Sequence, residues 1–247
     1  MSTGAFIATN KKTFLGVAAV AILYSAFGRM LVGSGTGNTL LGIIALGILF
    51  LITARRSVTL RDYGVSTARW VRSAIIAILG TSLVATAFIV TAMVIEQNKS
   101  GYYRGFDSFI VTSGPALFPD TNGELYMIED SGQNYTTVLL TALCVFLSFL
   151  MATVASTAVG TVAGAKGTRA GSITIGLALA TLFLFSYLLD VTDSVPGAPW
   201  PAVPIFASII AVISAFVMAW ALKEDKRPLP SVRPTFGLND RKCVWIR

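Results

Sequence analysis

Six apolar stretches interrupt the chain, at Phe14–Val32, Thr39–Ala54, Ser73–Ile95, Val138–Ala163, Ser172–Leu189 and Ala202–Leu222. A helix rises 1.5 Å per residue, so each is long enough, or nearly so, to cross roughly 30 Å of hydrocarbon. The second is short and needs tilt or loop residues to complete its crossing. The pattern predicts an all-α, polytopic membrane protein with six transmembrane helices. The polar interruptions differ in size. Gly33–Asn38 (GSGTGN) reads as a tight hairpin and Asp190–Pro201 (DVTDSVPGAPWP) as a short, stiff turn. Glu96–Thr137 is the one large segment between spans on its side of the membrane.

Charge orients the spans. With the N-terminus in the cytoplasm, the inner segments hold Lys11, Lys12, Arg55, Arg56, Arg61, Arg69, Arg72, Lys166 and Arg169, and seven more basic residues between Lys223 and Arg247. That is sixteen of the nineteen Lys and Arg residues. Only Lys99 and Arg104 fall outside, with Arg29 near the outer end of the first span. The opposite orientation would break the positive-inside rule at every loop, so both termini are expected in the cytoplasm. The expected organisation is a six-helix transmembrane domain over residues 1–222, including an external segment at 96–137, followed by a basic cytoplasmic tail at 223–247. The first apolar run is long and no A-x-A site follows it, so it is expected to be a retained span rather than a cleaved signal.

Composition agrees with this assignment. Hydrophobic residues make up 54% of the 247, charged residues 13%, and the mean hydropathy is +0.73. A soluble domain would have to expose large apolar patches to hold this much apolar sequence. The partner for most of the chain is therefore the lipid bilayer of a cell membrane. The excess of basic residues is a topology signal here, not a sign of nucleic-acid binding.

Candidate chemistry is sparse. Histidine is absent, which removes His-based triads, HExxH zinc sites and histidine ligation of haem. Cys144 and Cys243 lie on different segments and form no CxxC pair. No span carries a mid-membrane carboxylate, and no phosphate-binding loop, dinucleotide fingerprint or nucleophile elbow is present. No catalytic, cofactor or metal residue is assigned, and an intramembrane enzyme has no obvious catalyst. Any ATPase activity would reside on a partner chain.

Several residues still stand out. Arg29 and Asp190 are the ionisable groups nearest to membrane depth. Both lie close enough to the outer boundary to snorkel, and they are also a possible outer-side ion pair if the first and fifth spans are neighbours. On the fourth span Ser148, Ala152, Ser156, Gly160 and Gly164 recur every four residues, which stacks small residues on one face. Ser156, Gly160 and Gly164 are thus helix-packing candidates, either inside one bundle or at a dimer or gating interface. The external segment holds six acids (Glu96, Asp107, Asp120, Glu124, Glu129, Asp130) and could form a cap. Asn134-Tyr-Thr matches a glycosylation sequon that matters only in a eukaryotic secretory host.

The loop Ala54–Arg72 is the most informative. Val58, Leu60 and Tyr63 could line a short amphipathic piece, Gly64 breaks it, and Ser66 or Thr67 caps a new helix leading through Trp70 into the third span. A helix-turn-helix at the membrane surface suits docking onto a cytoplasmic partner; a merely topogenic basic loop has the same composition. The docking candidates are Arg55, Arg56, Leu60, Arg61, Tyr63 and Arg69.

Two elements resemble the small six-span permease subunits of bacterial ABC transporters of the ABC-2 (exporter) type. Gly64-Val65-Ser66-Thr67-Ala68-Arg69 is similar to a Gly-Val-Ser/Thr-Arg-Arg-like element that leads into the third span of that group. Gly160-Thr-Val-Ala-Gly-Ala-Lys-Gly-Thr-Arg-Ala-Gly171 resembles the basic glycine connection ahead of the fifth. The likeness covers roughly Thr39–Leu189. The chain departs from the pattern in lacking a second arginine after Ser66 and a long amphipathic N-terminal helix. The resemblance implies a permease subunit without cofactors, coupled through residues 55–72 to a separately encoded ATPase, and paired with a second membrane subunit or with itself as a homodimer. The alternative expectation is a non-catalytic accessory or assembly subunit of a larger cell-envelope membrane complex.

Overall fold

The computed structural model describes residues 5–7, 10–32, 35–57, 60, 64–100, 103, 107–113, 117–127, 134–167, 169–173, 175–176 and 202–224. The helices bounded within them are α1 (Lys11–Val32), α2 (Gly35–Arg55), α3 (Thr67–Lys99), α4 (Tyr135–Lys166) and α5 (Ala202–Glu224), and residues 169–173 and 175–176 are helical as well. Among the described residues α1 to α4 are each long and apolar enough to cross a membrane. The protein is membrane-embedded. Most of the expected fifth span, Ser172–Leu189, lies outside the described residues, as do Asp190 and the tail from residue 225 onward.

The helix boundaries follow local chemistry. Gly64 takes φ +81°, a left-handed turn that suits a residue without Cβ. Ser66 then caps α3, its hydroxyl accepting from the Arg69 N–H at 3.4 Å. Asn134 caps α4 through a reciprocal box with Thr137: the Asn134 side chain accepts from the Thr137 N–H, and the Thr137 hydroxyl accepts from the Asn134 N–H, both at 2.9 Å. The GSGTGN hairpin is shorter than its composition predicts. Gly35–Asn38 already belongs to α2, which is how the short second span gains the length to cross. With 33 and 32 residues, α3 and α4 run about 50 Å and project beyond a 30 Å hydrocarbon layer. One addition to the expected all-α fold is a hairpin beyond α3, in which β1 (Leu117–Pro119) pairs antiparallel with β2 (Leu125–Met127). Its turn is set by Asp120, whose carboxylate accepts from the N–H groups of Asn122 and Glu124.

α4 is the hub, packed against α2, α3 and α5, while α1 packs against α2 and α3. The bundle inverts the distribution of a soluble protein. Large apolar side chains such as Leu15, Val20, Ile44, Ile76, Leu83 and Phe216 face outward. Small and hydroxylated residues such as Ser25, Thr86, Thr153, Thr157 and Thr161 face inward. In lipid, apolar surface gains nothing by leaving the solvent, so close backbone approach decides which face points in. Each buried α4 hydroxyl donates to the carbonyl one turn back: Thr141 to Thr137, Ser148 to Cys144, Thr153 to Phe149, Thr157 to Thr153 and Thr161 to Thr157, at 2.7–2.9 Å. That satisfies the polar groups where no water can.

Two clusters anchor the interior. One joins Ile22, Leu46, Ile89, Met93, Val145 and Phe149 across α1 to α4. The other lies at the basic end and gathers Phe6, Phe14, Phe50, Leu60 and Trp70. There Phe6 stacks on Phe50 with centroids 5.6 Å apart and meets Trp70 at the same distance, while Phe14 meets Phe50 edge-on at 5.3 Å. The Phe6 N–H donates to the Ser73 hydroxyl at 2.8 Å, so residues ahead of α1 belong to the bundle.

Candidate functional site

Arg29 sits one turn before the end of α1 and is 1% exposed. It does not snorkel. Its Nη1 donates to Asp107 Oδ2 at 3.1 Å and to the Tyr103 hydroxyl at 3.2 Å. Its Nη2 donates to the Thr39 hydroxyl at 2.9 Å and to the Ser25 carbonyl at 3.1 Å, and Nε also donates to that carbonyl at 3.3 Å. These five bonds match the five N–H groups of a guanidinium. The ion-pair partner is Asp107, which comes from the segment after α3; Asp190 lies outside the described residues.

The sequence around the pair makes room for it. A Cβ on Gly35 would collide with the Tyr103 hydroxyl and the Asp107 carboxylate, so the first turn of α2 must present bare backbone. Thr39 donates back to the Gly35 carbonyl at 3.1 Å and uses its remaining lone pair on Arg29. Tyr103 donates to Asp107 Oδ2 at 3.1 Å, while Asp107 Oδ1 accepts from the Phe109 N–H at 3.1 Å and faces the Thr36 hydroxyl at 3.5 Å. Burial, and then the negative charge of Asp107, push the Tyr103 phenol up to about 12, against a smaller opposing effect of Arg29. Two backbone contacts extend the grip. The Ser108 N–H donates to the Thr36 hydroxyl at 2.9 Å, and the Val111 N–H donates to the Thr141 hydroxyl at 3.0 Å. Tyr103 and residues 107–111 are thereby tied to α1, α2 and α4. With every donor of Arg29 engaged, this node holds the chain and leaves no N–H for a ligand.

The basic end is built differently. Arg55, Arg56, Arg69 and Arg72 are exposed, as are Lys11, Lys12 and Arg169. Leu60, expected among the docking residues, is instead buried beside Trp70 in the aromatic cluster, so it supports the loop from beneath. The reason is apolar burial: a leucine that can reach Phe6 and Trp70 does not stay at a wet surface. Arg61 and Tyr63 lie outside the described residues. Lys166, at the end of α4, stands over the Trp220 ring at 3.3 Å from its centroid.

Ser156, Gly160 and Gly164 face α2 of the same chain. A Cβ on Gly160 would strike the Leu51 carbonyl oxygen and come within 2.9 Å of the Ala54 Cβ, and one on Gly164 would strike the Arg55 carbonyl oxygen. The Ser156 hydroxyl lies 3.0 Å from where a Cβ on Gly47 would stand. This small-residue face is occupied within the bundle, where α2 and α4 approach closely from Gly47 and Ser156 to Arg55 and Gly164.

Sequence reasoning missed Asp107, Tyr103 and Phe6. An acid in a long polar loop gives no sign of which span it will meet, and a phenylalanine ahead of a span resembles any flanking residue. Compared with protein-family models, with curated proteins and with solved structures, the chain finds no match.

Proposed function

We propose that this chain is a six-span bacterial plasma-membrane subunit, with both termini in the cytoplasm, that serves as the permease of an ATP-driven exporter and docks a separate ATPase through residues 55–72. The observation that carries the reading is the rim of exposed Arg55, Arg56, Arg69 and Arg72 mounted on a rigid base of Leu60, Trp70 and Phe6. A docking surface that transmits force needs charge outside and packing beneath, and this loop has both. The six-span count is supported by the direction of α5. Lys166 and Trp220, near the C-terminal ends of α4 and α5, meet at one end of the bundle, and Met218 and Leu222 join the aromatic cluster there. Two helices that run parallel require an odd number of crossings between them. The orientation is supported by the gathering of exposed basic residues at that same end.

The test is purification from native membranes in mild detergent, comparing wild type with an Arg55→Glu/Arg69→Glu double variant. The expected result is a co-purifying ATPase that wild type retains and the charge-reversed variant loses, with the variant's melting temperature unchanged. An ATPase that binds both forms equally, or a preparation with none, overturns the docking assignment. The second reading, an accessory subunit of a larger envelope complex, is favoured by the interior of α4, where the buried hydroxyls are satisfied within the helix. Recovery of other membrane subunits without an ATPase selects it.

A further inference from the structure

Among the described residues Phe6 is the one ring in contact with Trp70, at 5.6 Å between centroids, and it also meets Phe50 at 5.6 Å and Phe14 at 6.3 Å. Trp70, Phe50 and Phe14 belong to α3, α2 and α1. α2 and α3 share little direct packing of their own, so a ring from outside every helix is wedged between them. The hold on that ring is slight. Ala5–Ile7 is a turn rather than a helix, and the Phe6 N–H ties it to α3 by donating to the Ser73 hydroxyl at 2.8 Å. That hydroxyl donates in turn to the Trp70 carbonyl at 2.8 Å. When Phe6 leaves, Ser73 keeps its bond to Trp70, and the freed Phe6 N–H can pair with water at the basic end.

The closed arrangement carries a cost as well. Trp70 is 1% exposed, and among the described residues its Nε1 has no hydrogen-bond partner. A buried unpaired donor is expensive, and the cost is relieved once water reaches it. Burial of Phe6 therefore favours a closed state and the unpaired indole favours an open one. Passing between them breaks no helical hydrogen bond.

We propose that Ala5–Ile7 is a reversible strap, with Phe6 as its key, that locks the start of α3 when closed and frees it when open. Closed, it holds Trp70 against α1 and α2, and with Trp70 the first turns of α3 that carry Arg69 and Arg72. Open, it admits water to the indole and leaves those turns without support. The strap thereby sets the rigidity of the docking surface, a consequence that rests on the assignment of residues 55–72 to that role.

The test is hydrogen exchange followed by NMR on the full chain in detergent micelles, isotopically labelled at phenylalanine and tryptophan nitrogen. No ATPase is present, so the result does not depend on whether one docks. Three groups report the opening: the Phe6 amide, the Trp70 indole, and the Trp70 amide, which donates to the Ser66 carbonyl at 3.0 Å. Their protection should fall about a hundredfold or more below that of the buried Phe149 amide, as a local opening requires, yet stay well above that of a free amide. Ser73→Ala removes the acceptor of the strap and should lower all three by about fivefold, the weight of one hydrogen bond, with Phe149 unchanged. Phe6→Leu should lower both Trp70 values in the same sense, which keeps the strap testable if Ser73→Ala is unstable. A Phe6 amide as protected as Phe149 overturns the proposal, because the segment is then a permanent part of the bundle. So does a Phe6 amide without protection, which means a strap that never closes. Trp70 exchange that is indifferent to both substitutions also overturns it, because α3 then does not depend on the strap.

Discussion

Asp107 Oδ2 lies 3.1 Å from Arg29 Nη1, with both side chains fully shielded, although 78 residues separate them in sequence. Tyr103 and residues 107–111 are held against α1 and α2 because this carboxylate reaches in to a guanidinium that has no other charge to pair with among the described residues. Removing one partner leaves an uncompensated buried charge. Arg29→Ala and Asp107→Ala are each expected to cost about 3–5 kcal/mol. The double variant Arg29→Ala/Asp107→Ala should lose much less than the two added together. Thermal unfolding of the four proteins in one detergent gives the coupling energy, and strict additivity would show that the pair does not hold the segment.

The phenol of Tyr103 gives this node a pH limit. Its value in the folded protein is about 12, above an ordinary tyrosine at 10, so the protonated form is the one that folding favours. The stabilisation is fully present below about pH 10 and disappears as pH rises toward 12. Melting temperatures of wild type and Tyr103→Phe, taken across this range, should therefore converge at high pH. A difference that stays constant with pH would rule out titration of this group as the cause.

The glycines of α4 are expected to tolerate nothing larger. Gly160→Ala pushes a methyl group into the Leu51 carbonyl and should destabilise by about 1–3 kcal/mol, as overpacking does. Gly80→Ala, on α3 with open space around it, should be neutral or stabilising by up to about 1 kcal/mol. Equal melting temperatures for the two variants would mean that α2 and α4 do not approach this closely.

Phe6 lies outside every helix and yet is 1% exposed. Phe6→Ala should cost about 3–5 kcal/mol, as other buried aromatic truncations do. It should also speed tryptic cleavage at Lys11 and Lys12, because the segment ahead of α1 loses its anchor. Unchanged cleavage kinetics would place that anchor elsewhere.

The spans, their order and the sorting of basic residues to one end follow from composition and spacing. Apolar length is a local property, and a bilayer imposes the same thickness on every crossing. The four-residue spacing of Gly160 and Gly164 likewise marks a face fit for close approach, since helical periodicity is local too. Residue spacing also places Gly64 and Ser66 at the start of α3, because capping acts within one turn.

Pairing is another matter. That Arg29 meets Asp107, that α2 fills the small-residue face of α4, and that Leu60 turns inward to Trp70 all depend on which segments become neighbours. Each of those contacts joins groups far apart in the chain, and several spans offer similar apolar faces, so no local preference selects among them. The bundle settles the matter by burying Arg29 where only one carboxylate among the described residues reaches it, and by bringing α2 against a face of α4 bare enough to admit its backbone.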